Sequence, residues 1–501
     1  MPRDRVTRPH VAQLTLSRRR LLAATGTVAG AALLAARPWA TEAALDPTAT
    51  PQPTPPPGGP PPEAIATHRS RPDLRAPVLT MDASGDAGDE ALFLTPRFGG
   101  GGEGVMIFDA TGGLVWMRRV PGRSSVALQP IVHRGRPALW WWEGVITDGL
   151  GDGEFVIIDD RYREIARIRA MARPADLHDL AFTRDGDALL FALDHVSVGG
   201  QPIVDYLIQQ IEIATGRLVW EWRASDHIAL EEMVEAPPAD HPWDFVHFNS
   251  IDVDPDGDLL VSARHTDALY LISRRTGDII WRLGGTRSDL RLSENAVFHR
   301  QHFARFQPDG TISLFDNATS DPDDSTSVPR GLVLRLDEAA GVAELVAELK
   351  PPRPVNASSQ GNLHLDPDGI ATIGWGSANL FTVYDADGSI ILDGSMPPGF
   401  TSYRAFRHGW RGRPMDVPIA VTGLDDQGVP TLWVSWNGAT DVAGWRLMSG
   451  DHAGSLRGVV EVPRSGFETA IPLPVTGPVF AVAALDVRGR ELARSELIRS
   501  V

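Results

Sequence analysis

Four histidines stand at comparable places in the chain. His178 lies in LHDLAFTRDG, His247 in VHFNSIDVDPDG, His302 in QHFARFQPDG and His364 in NLHLDPDG, each five to ten residues before the glycine of a turn. A neutral imidazole can attack as a nucleophile at neutral pH, carry a proton as acid or base, or ligate a metal. No carboxylate spacing singles out a metal set, and no HExxH, GxSxG or Walker signature occurs. Around the four lie Asn249, Arg264, Gln301, Asn317 and Arg330. Arg330 ends the polar stretch LFDNATSDPDDSTSVPR and enters an apolar run. Its guanidinium would either fork onto an oxyanion such as sulfate or phosphate, or pair with Asp321, Asp323 and Asp324. His133, His241, His265 and His299 lack the repeated setting and read as surface or supporting residues.

Three other motifs carry less. DVDPDGD begins like a calcium loop with Asp252, Asp254, Asp256 and Gly257, but the twelfth position is Ala263 and the flanks read as strands. A hairpin turn with solvated carboxylates is the better reading. RFGGGGEG matches GxGxxG without a βαβ setting. LWWWEG, with Trp140–Trp142, reads as packing between strands or as one indole facing an aromatic ligand.

The elements that must position the histidines are repeats. One phrase, an apolar run, a turn and a second apolar run, recurs as IFDATGGLVWMR, IIDDRYREIARI, IEIATGRLVWEW and ISRRTGDIIWRL, the turn holding glycine in all but the second, with looser copies beginning at Leu334 and Val383. A second phrase, TRDGDALLF, DPDGDLLVS, QPDGTISLF and DPDGIATIG, lies between them. Asp-Gly between β-branched runs is a hairpin signal. Two hairpins per unit make a four-stranded blade, and six units make a closed ring. The expected fold is all-β: a six-bladed β-propeller over residues 73–412, followed by a fibronectin type III or immunoglobulin-like β-sandwich over 413–501 with Trp436 and Trp445 in its core. In a propeller the first strand of each blade lines the central channel. His178, His247, His302 and His364 would then point from blades three to six toward one axis.

The composition narrows the function. Net charge is -17, which argues against a nucleic-acid partner. Without cysteine there is no disulfide, thiolate metal site or cysteine nucleophile. SRRRLL at Ser17–Leu22 precedes an uncharged Ala- and Gly-rich run to Ala36, so residues 1–44 read as a twin-arginine export signal. Residues 45–72 read as a proline-rich linker. The protein is expected outside the cytoplasm: secreted, periplasmic or associated with the cell envelope.

Several phrases, taken in order, resemble the arylsulfotransferase-like family of bacteria and fungi: SRPDLRAPVLTM, LWWWEGVITDGLGDGEFVIIDDRYREI, HDLAF, DFVHFNSID, TGDIIWRLGG, QHFARF, LFDN and SYRAFRHGW. The resemblance covers most of residues 70–501. It implies a six-bladed propeller that moves a sulfuryl group between phenols, independently of PAPS, through a sulfated histidine held by neighbouring His and Arg residues. Carried over, the histidine of HFNS is His247, that of QH is His302, and the Arg after the DN motif is Arg330, at a longer spacing than in the family. The family's nucleophile lies in a later blade, where His364 is the candidate.

Two functions follow as expectations. The first is an exported enzyme passing a sulfuryl group from an aryl sulfate to a phenolic acceptor. His364 or His302 is the nucleophile, His247 the acid/base and Arg330 the sulfate clamp. His178, Asn249, Gln301 and Asn317 contact substrate, with no metal and no cofactor. The chemistry suits these residues, since the three sulfuryl oxygens need cations or N–H donors while charge moves to the leaving phenolate. The second is a non-catalytic propeller that binds a cell-envelope glycan or a protein.

Overall fold

The computed structural model describes residues 62–97, 103–321, 323–324, 326–474 and 479–499. The export segment, the linker up to residue 61 and the centre of RFGGGGEG lie outside them. The described residues form strands and short 3-10 turns, with no α-helix.

Six four-stranded meanders follow one another. The first joins Ala91–Arg97, Val105–Phe108 and Leu114–Arg118 to Thr401–His408, a strand from the far end of the chain. The second (Ser124–His133, Arg136–Thr147, Leu150–Asp159, Glu164–Ile168) and the third (Ala175–Phe182, Ala188–Val198, Gln201–Glu212, Arg217–Arg223) are joined by the Ala175–Gly153 pairing. The fourth runs from Phe248–Val253 to Ile279–Gly284, the fifth from His302–Phe306 to Val342–Leu349, and the sixth from Asn362–Leu365 to Ile390–Ser395. The first strands touch in sequence: Ala175–Phe182 lies against Phe248–Val253, that against His302–Phe306, and Thr401–His408 against Ser124–His133.

The sequence pattern explains the layering. Middle strands such as Leu259–Ala263 and Ala268–Ile272 are buried throughout, so they read as unbroken apolar runs, whereas the outer Ile279–Gly284 mixes buried and partly exposed positions. The Asp-Gly phrases are turns. Asp254 Oδ1 accepts from the backbone N–H of Asp256, Gly257 and Asp258, and Gly257 sits at φ 94°, where a side chain would be strained. The acidic stretch of DVDPDGD therefore caps its own turn. Trp140, Trp141 and Trp142 are all buried; the Trp141 indole donates to Glu143 and that of Trp142 to the Ala175 carbonyl.

Beyond His408 the chain forms two more sheets, one of Ile419–Leu424, Pro430–Ser435 and Glu468–Pro472, the other of five strands centred on Gly444–Gly450 and Val479–Leu485. Their facing side chains, among them Leu432, Val434, Trp445 and Val482, share one apolar core. Trp445 is buried in it; Trp436 packs at its edge and donates to Asp416.

Candidate functional site

Three of the four histidines meet. His178, His247 and His302 line one small cavity with Arg97, Arg264 and Tyr403, and with Gln360 at its wall. The space is about 30 Å3, close to that of a single water molecule in the liquid.

Each imidazole is fixed by a partner. Asp176 and His178 are two apart on Ala175–Phe182, so they share a face, and the Asp176 carboxylate accepts from His178 Nδ1. Burial works against a charged Asp176, yet His178 and the Gly151 N–H hold its carboxyl below the usual range. His247 Nδ1 lies 2.6 Å from Asp244 Oδ2. The His178 and His247 rings meet edge to face at 4.6 Å between centroids. His302 Nδ1 donates to Asn317 Oδ1 at 2.7 Å and to the Arg300 carbonyl at 2.9 Å, while its Nε2 accepts from the Gln360 N–H at 3.2 Å. Two neutral acceptors on Nδ1 thus leave the lone pair on Nε2, where the Gln360 N–H binds it at the cavity wall.

Burial, reinforced by nearby cationic groups, drives His247 and His302 well below the ordinary imidazole value, so both are neutral. Burial also raises Asp244 to about 6. The two directions describe one shared site that takes up an extra proton as pH falls. Burial lowers Arg264 to about 10, with Arg300 adding repulsion. Arg264 Nη1 donates to His265 Nε2 at 2.9 Å and Nη2 to the Ser358 carbonyl at 3.2 Å, while its Nε has no partner. The Tyr403 hydroxyl is likewise buried and unpartnered. Two donors without acceptors on one cavity wall prepare it for an anionic group.

The backbone is strained at this place. Val246 (φ 56°), His247 (φ 50°), Arg300 (φ 56°), Phe303 (φ 54°) and Gln360 (φ 64°) all occupy the left-handed region. Val246 is β-branched, and the His247 N–H closes a tight turn on the Phe245 carbonyl at 2.6 Å. Such strain persists where the surrounding packing over-determines it. Behind the cavity the fully buried Arg404 donates to Asp179 at 2.8 Å and to the carbonyls of His178 and Asn249; Arg305 holds the other Asp179 oxygen at 2.7 Å. This brace links four first strands.

Several sequence expectations are corrected. His364 does not join the cluster. It lies toward the turn end of Asn362–Leu365, 29% exposed, beside Asp366 at 3.3 Å and edge-on to Phe406. It precedes its turn glycine by five residues, against ten for His247. At about 3.3 Å per residue, that difference carries it roughly 16 Å down the strand. The position matching His247 is Gln360. Asn249 and Asn362 each donate an amide to a carbonyl of the next first strand, and His247 and Gln360 lie two residues before them, both at positive φ.

Arg330 is not the clamp either. Asp316 (2.9 Å), Glu348 (2.7 Å) and the Asn295 and Val297 carbonyls occupy it, so neither the oxyanion nor the Asp321–Asp324 pairing describes it. Asn249 and Gln301 stitch the fourth meander to the fifth, Gln301 Nε2 reaching Ser262 and the carbonyls of Ala263 and Ala268. Asn317 acts through His302. Sequence reasoning missed Arg264 as the cavity cation, Tyr403, Arg97 and the carboxylates Asp176 and Asp244. The i, i+2 spacing of Asp176 and His178 was the signal available for one of these.

Asp244, His247 and His265 could reach a single ion, their ligand atoms lying within 4.8 Å of one another. Both nitrogens of His265 and Nδ1 of His247 already have partners, however, and the Arg264 guanidinium donates to His265 Nε2. A divalent cation there would displace that contact and face a fixed positive charge.

The buried imidazoles set an expected pH dependence. His247, His265 and His302 are all held down by burial from 6.5, so the stability they support is complete above 6.5 and is lost as pH falls toward their folded values. Asp244 runs the other way: its contribution is present below 3.8 and lost as pH rises through about 6. Three groups outweigh one. The urea midpoint should therefore fall between about pH 7.5 and 5.5; a flat or rising midpoint would contradict the assignment.

A family model described as Arylsulfotransferase (ASST) matches residues 129–396. No curated protein matches the chain. Among solved structures the chain is similar to a protein of unknown function from Bacteroides caccae (13% identity, TM-score 0.40, covering 64% of this chain and 100% of that one). It is also similar to a catalytically inactive variant of virginiamycin B lyase from Staphylococcus aureus, solved with quinupristin (10%, 0.34, 72% and 97%). A third likeness is a protein from Lactobacillus plantarum (14%, 0.33, 76% and 99%). These likenesses are too distant to carry function.

Proposed function

The chain belongs to the arylsulfotransferase (ASST) family, and from that premise we propose that it transfers a sulfuryl group from an aryl sulfate to a phenolic acceptor through a sulfated His302. The observation that carries this reading is the cavity, in which three imidazoles from three meanders meet an unpartnered Arg264 Nε and an unpartnered Tyr403 hydroxyl. The six meanders, with first strands touching in sequence and Thr401–His408 paired to Ala91–Arg97, support a six-bladed propeller. The two C-terminal sheets with one core support a sandwich of fibronectin type III kind. The arginine-rich leader supports twin-arginine export to the periplasm, the cell envelope or the medium.

His302 Nε2 gives up the hydrogen bond from the Gln360 N–H and attacks the sulfur, and the S–O bond to the aryl group breaks. Arg264 and Tyr403 donate to the sulfuryl oxygens, and the leaving phenolate takes the extra proton of the Asp244–His247 pair. His302 keeps its Nδ1–H, held by Asn317 and the Arg300 carbonyl. In the second half the acceptor phenol returns a proton to the pair, its oxygen attacks sulfur, and the N–S bond breaks. The cavity has room for about one water, so its lining would have to part to take the sulfuryl oxygens, and the aryl ring would lie at the mouth, by Ile146 and Leu177.

Gln360 favours one other reading. The later first strand carries an amide where the family resemblance expects a nucleophilic histidine, as suits a relative that holds an anionic ligand, such as a sulfated envelope glycan, without transferring the group. Phenol release from a chromogenic aryl sulfate, with and without phenolic acceptor, separates the two. The enzyme reading predicts acceptor-stimulated release, abolished in His302→Ala and kept within about twofold in His364→Ala, since His364 touches nothing in the cavity. Release no faster than from heat-killed protein would favour the binding reading.

A further inference from the structure

A second concave region lies on the seam between the first two meanders and the C-terminal sheets. It consists of two hollows, of about 490 and 550 Å3, that share Arg161 and Pro414. The protein is strongly acidic, with 64 Asp and Glu against 47 Lys and Arg. The seam is the reverse. Arg119, Arg136, Arg161 and Arg413 line it, all exposed, and none has an ion-pair partner among the described residues. The lining carboxylates are mostly taken: Asp73 by Arg71, Asp441 by Arg411, and Asp416 by the Trp436 indole.

The seam is rigid as well as basic. The Asn437 side chain pairs with Met117 like an extra strand residue, Oδ1 accepting from its N–H at 3.0 Å and Nδ2 donating to its carbonyl at 2.9 Å. The Tyr162 hydroxyl donates to the Gly438 carbonyl at 2.9 Å and accepts from the Trp410 indole at 3.0 Å, and its ring stacks on Trp116 at 4.8 Å. Gly438 is glycine of necessity, since φ is 87° and a Cβ would overlap the Tyr162 ring. The backbone that carries the arginines is thus fixed before binding, and the freedom lost is that of their side chains.

We propose that this seam binds an anionic oligosaccharide, a chain bearing sulfate or carboxylate groups at intervals. Arg119 reaches only the Asp73 carbonyl, at 3.5 Å, and guanidinium forks without a carboxylate partner match both groups bidentately. Two joined hollows suit a chain with several charges better than a single ion. Their concavity is that of a ligand site. A protein partner would require a flat face with large apolar anchors, whereas Met415 is the one large apolar residue of the lining that is mostly exposed. The site is separate from the cavity and does not depend on sulfuryl transfer.

The test is isothermal titration of the full chain at low salt with a sulfated oligosaccharide, a polygalacturonate oligosaccharide and a neutral dextran. The charged chains should bind and the dextran should not. Arg119→Glu combined with Arg161→Glu should weaken binding at least tenfold, with melting temperature and aryl sulfate turnover unchanged. Should that pair fold poorly, Arg136→Glu in the other hollow should weaken binding severalfold. Binding of one charged chain alone assigns the site to sulfate or to carboxylate, and binding of both assigns it to their shared charge. Three results would overturn the proposal: no binding of either charged chain, affinity unmoved by charge reversal, or equal affinity for a polyglutamate peptide.

Discussion

Arg264→Ala is expected to lower aryl sulfate turnover by about a hundredfold or more while the protein still folds. Removing one preorganised donor from a developing charge typically costs that much, and Arg264 is the cavity cation whose Nε has no acceptor. The substitution also frees His265 Nε2 and the Ser358 carbonyl, at about 1–3 kcal/mol for each buried group left unsatisfied, so the melting temperature must be read beside the rate. Arg264→Lys separates the two effects: one ammonium cannot bond both partners and still face the cavity, so activity should remain low. Arg330→Ala is the counterpart. Its guanidinium neutralises the buried Asp316 and reaches Glu348, so its loss should reduce stability and leave the turnover of folded protein near wild type. The opposite pattern, activity lost with Arg330 and kept without Arg264, would move the clamp back to the position the sequence suggested.

The second large effect concerns the brace. Arg404→Met leaves the fully buried Asp179 carboxylate with Arg305 and the Ile251 N–H, and abandons the carbonyls of His178 and Asn249. Breaking a buried pair from one side costs about 3–5 kcal/mol. The predicted result is an unfolding free energy lowered by that amount, seen as a lower urea midpoint, with weakened activity because the His178 carbonyl is anchored through the same guanidinium. Asp179→Asn added to Arg404→Met should recover part of the loss, since no buried carboxylate is then left short of its second guanidinium. A double variant less stable than the sum of the two singles would show that the brace does not act as a charge pair.

Much of this was legible in the chain. The Asp-Gly phrases and apolar runs marked hairpins, and their recurrence marked the meanders. Three of the four histidines chosen for their distance from a turn do line one cavity. The fourth shows where that ruler fails. Distance to the turn fixes depth along a strand, and His364 stands too near the turn; the equivalence visible in space runs through Asn249 and Asn362 to His247 and Gln360. The exchange of Arg330 for Arg264 has a different cause. Which guanidinium remains uncommitted depends on carboxylates brought in by other strands, Glu348 above all, and no local spacing records that. Tyr403 enters from the strand that closes onto Ala91–Arg97, more than 300 residues away in sequence.

The measurement that tests the central claim most directly is the mass of the protein quenched during turnover of an aryl sulfate without acceptor, followed by peptide mapping. A single sulfuryl group should appear on the peptide holding His302, disappear on addition of a phenol, be absent in His302→Ala and persist in His364→Ala. A sulfuryl group found on His364, or turnover with no adduct on any histidine, would contradict it.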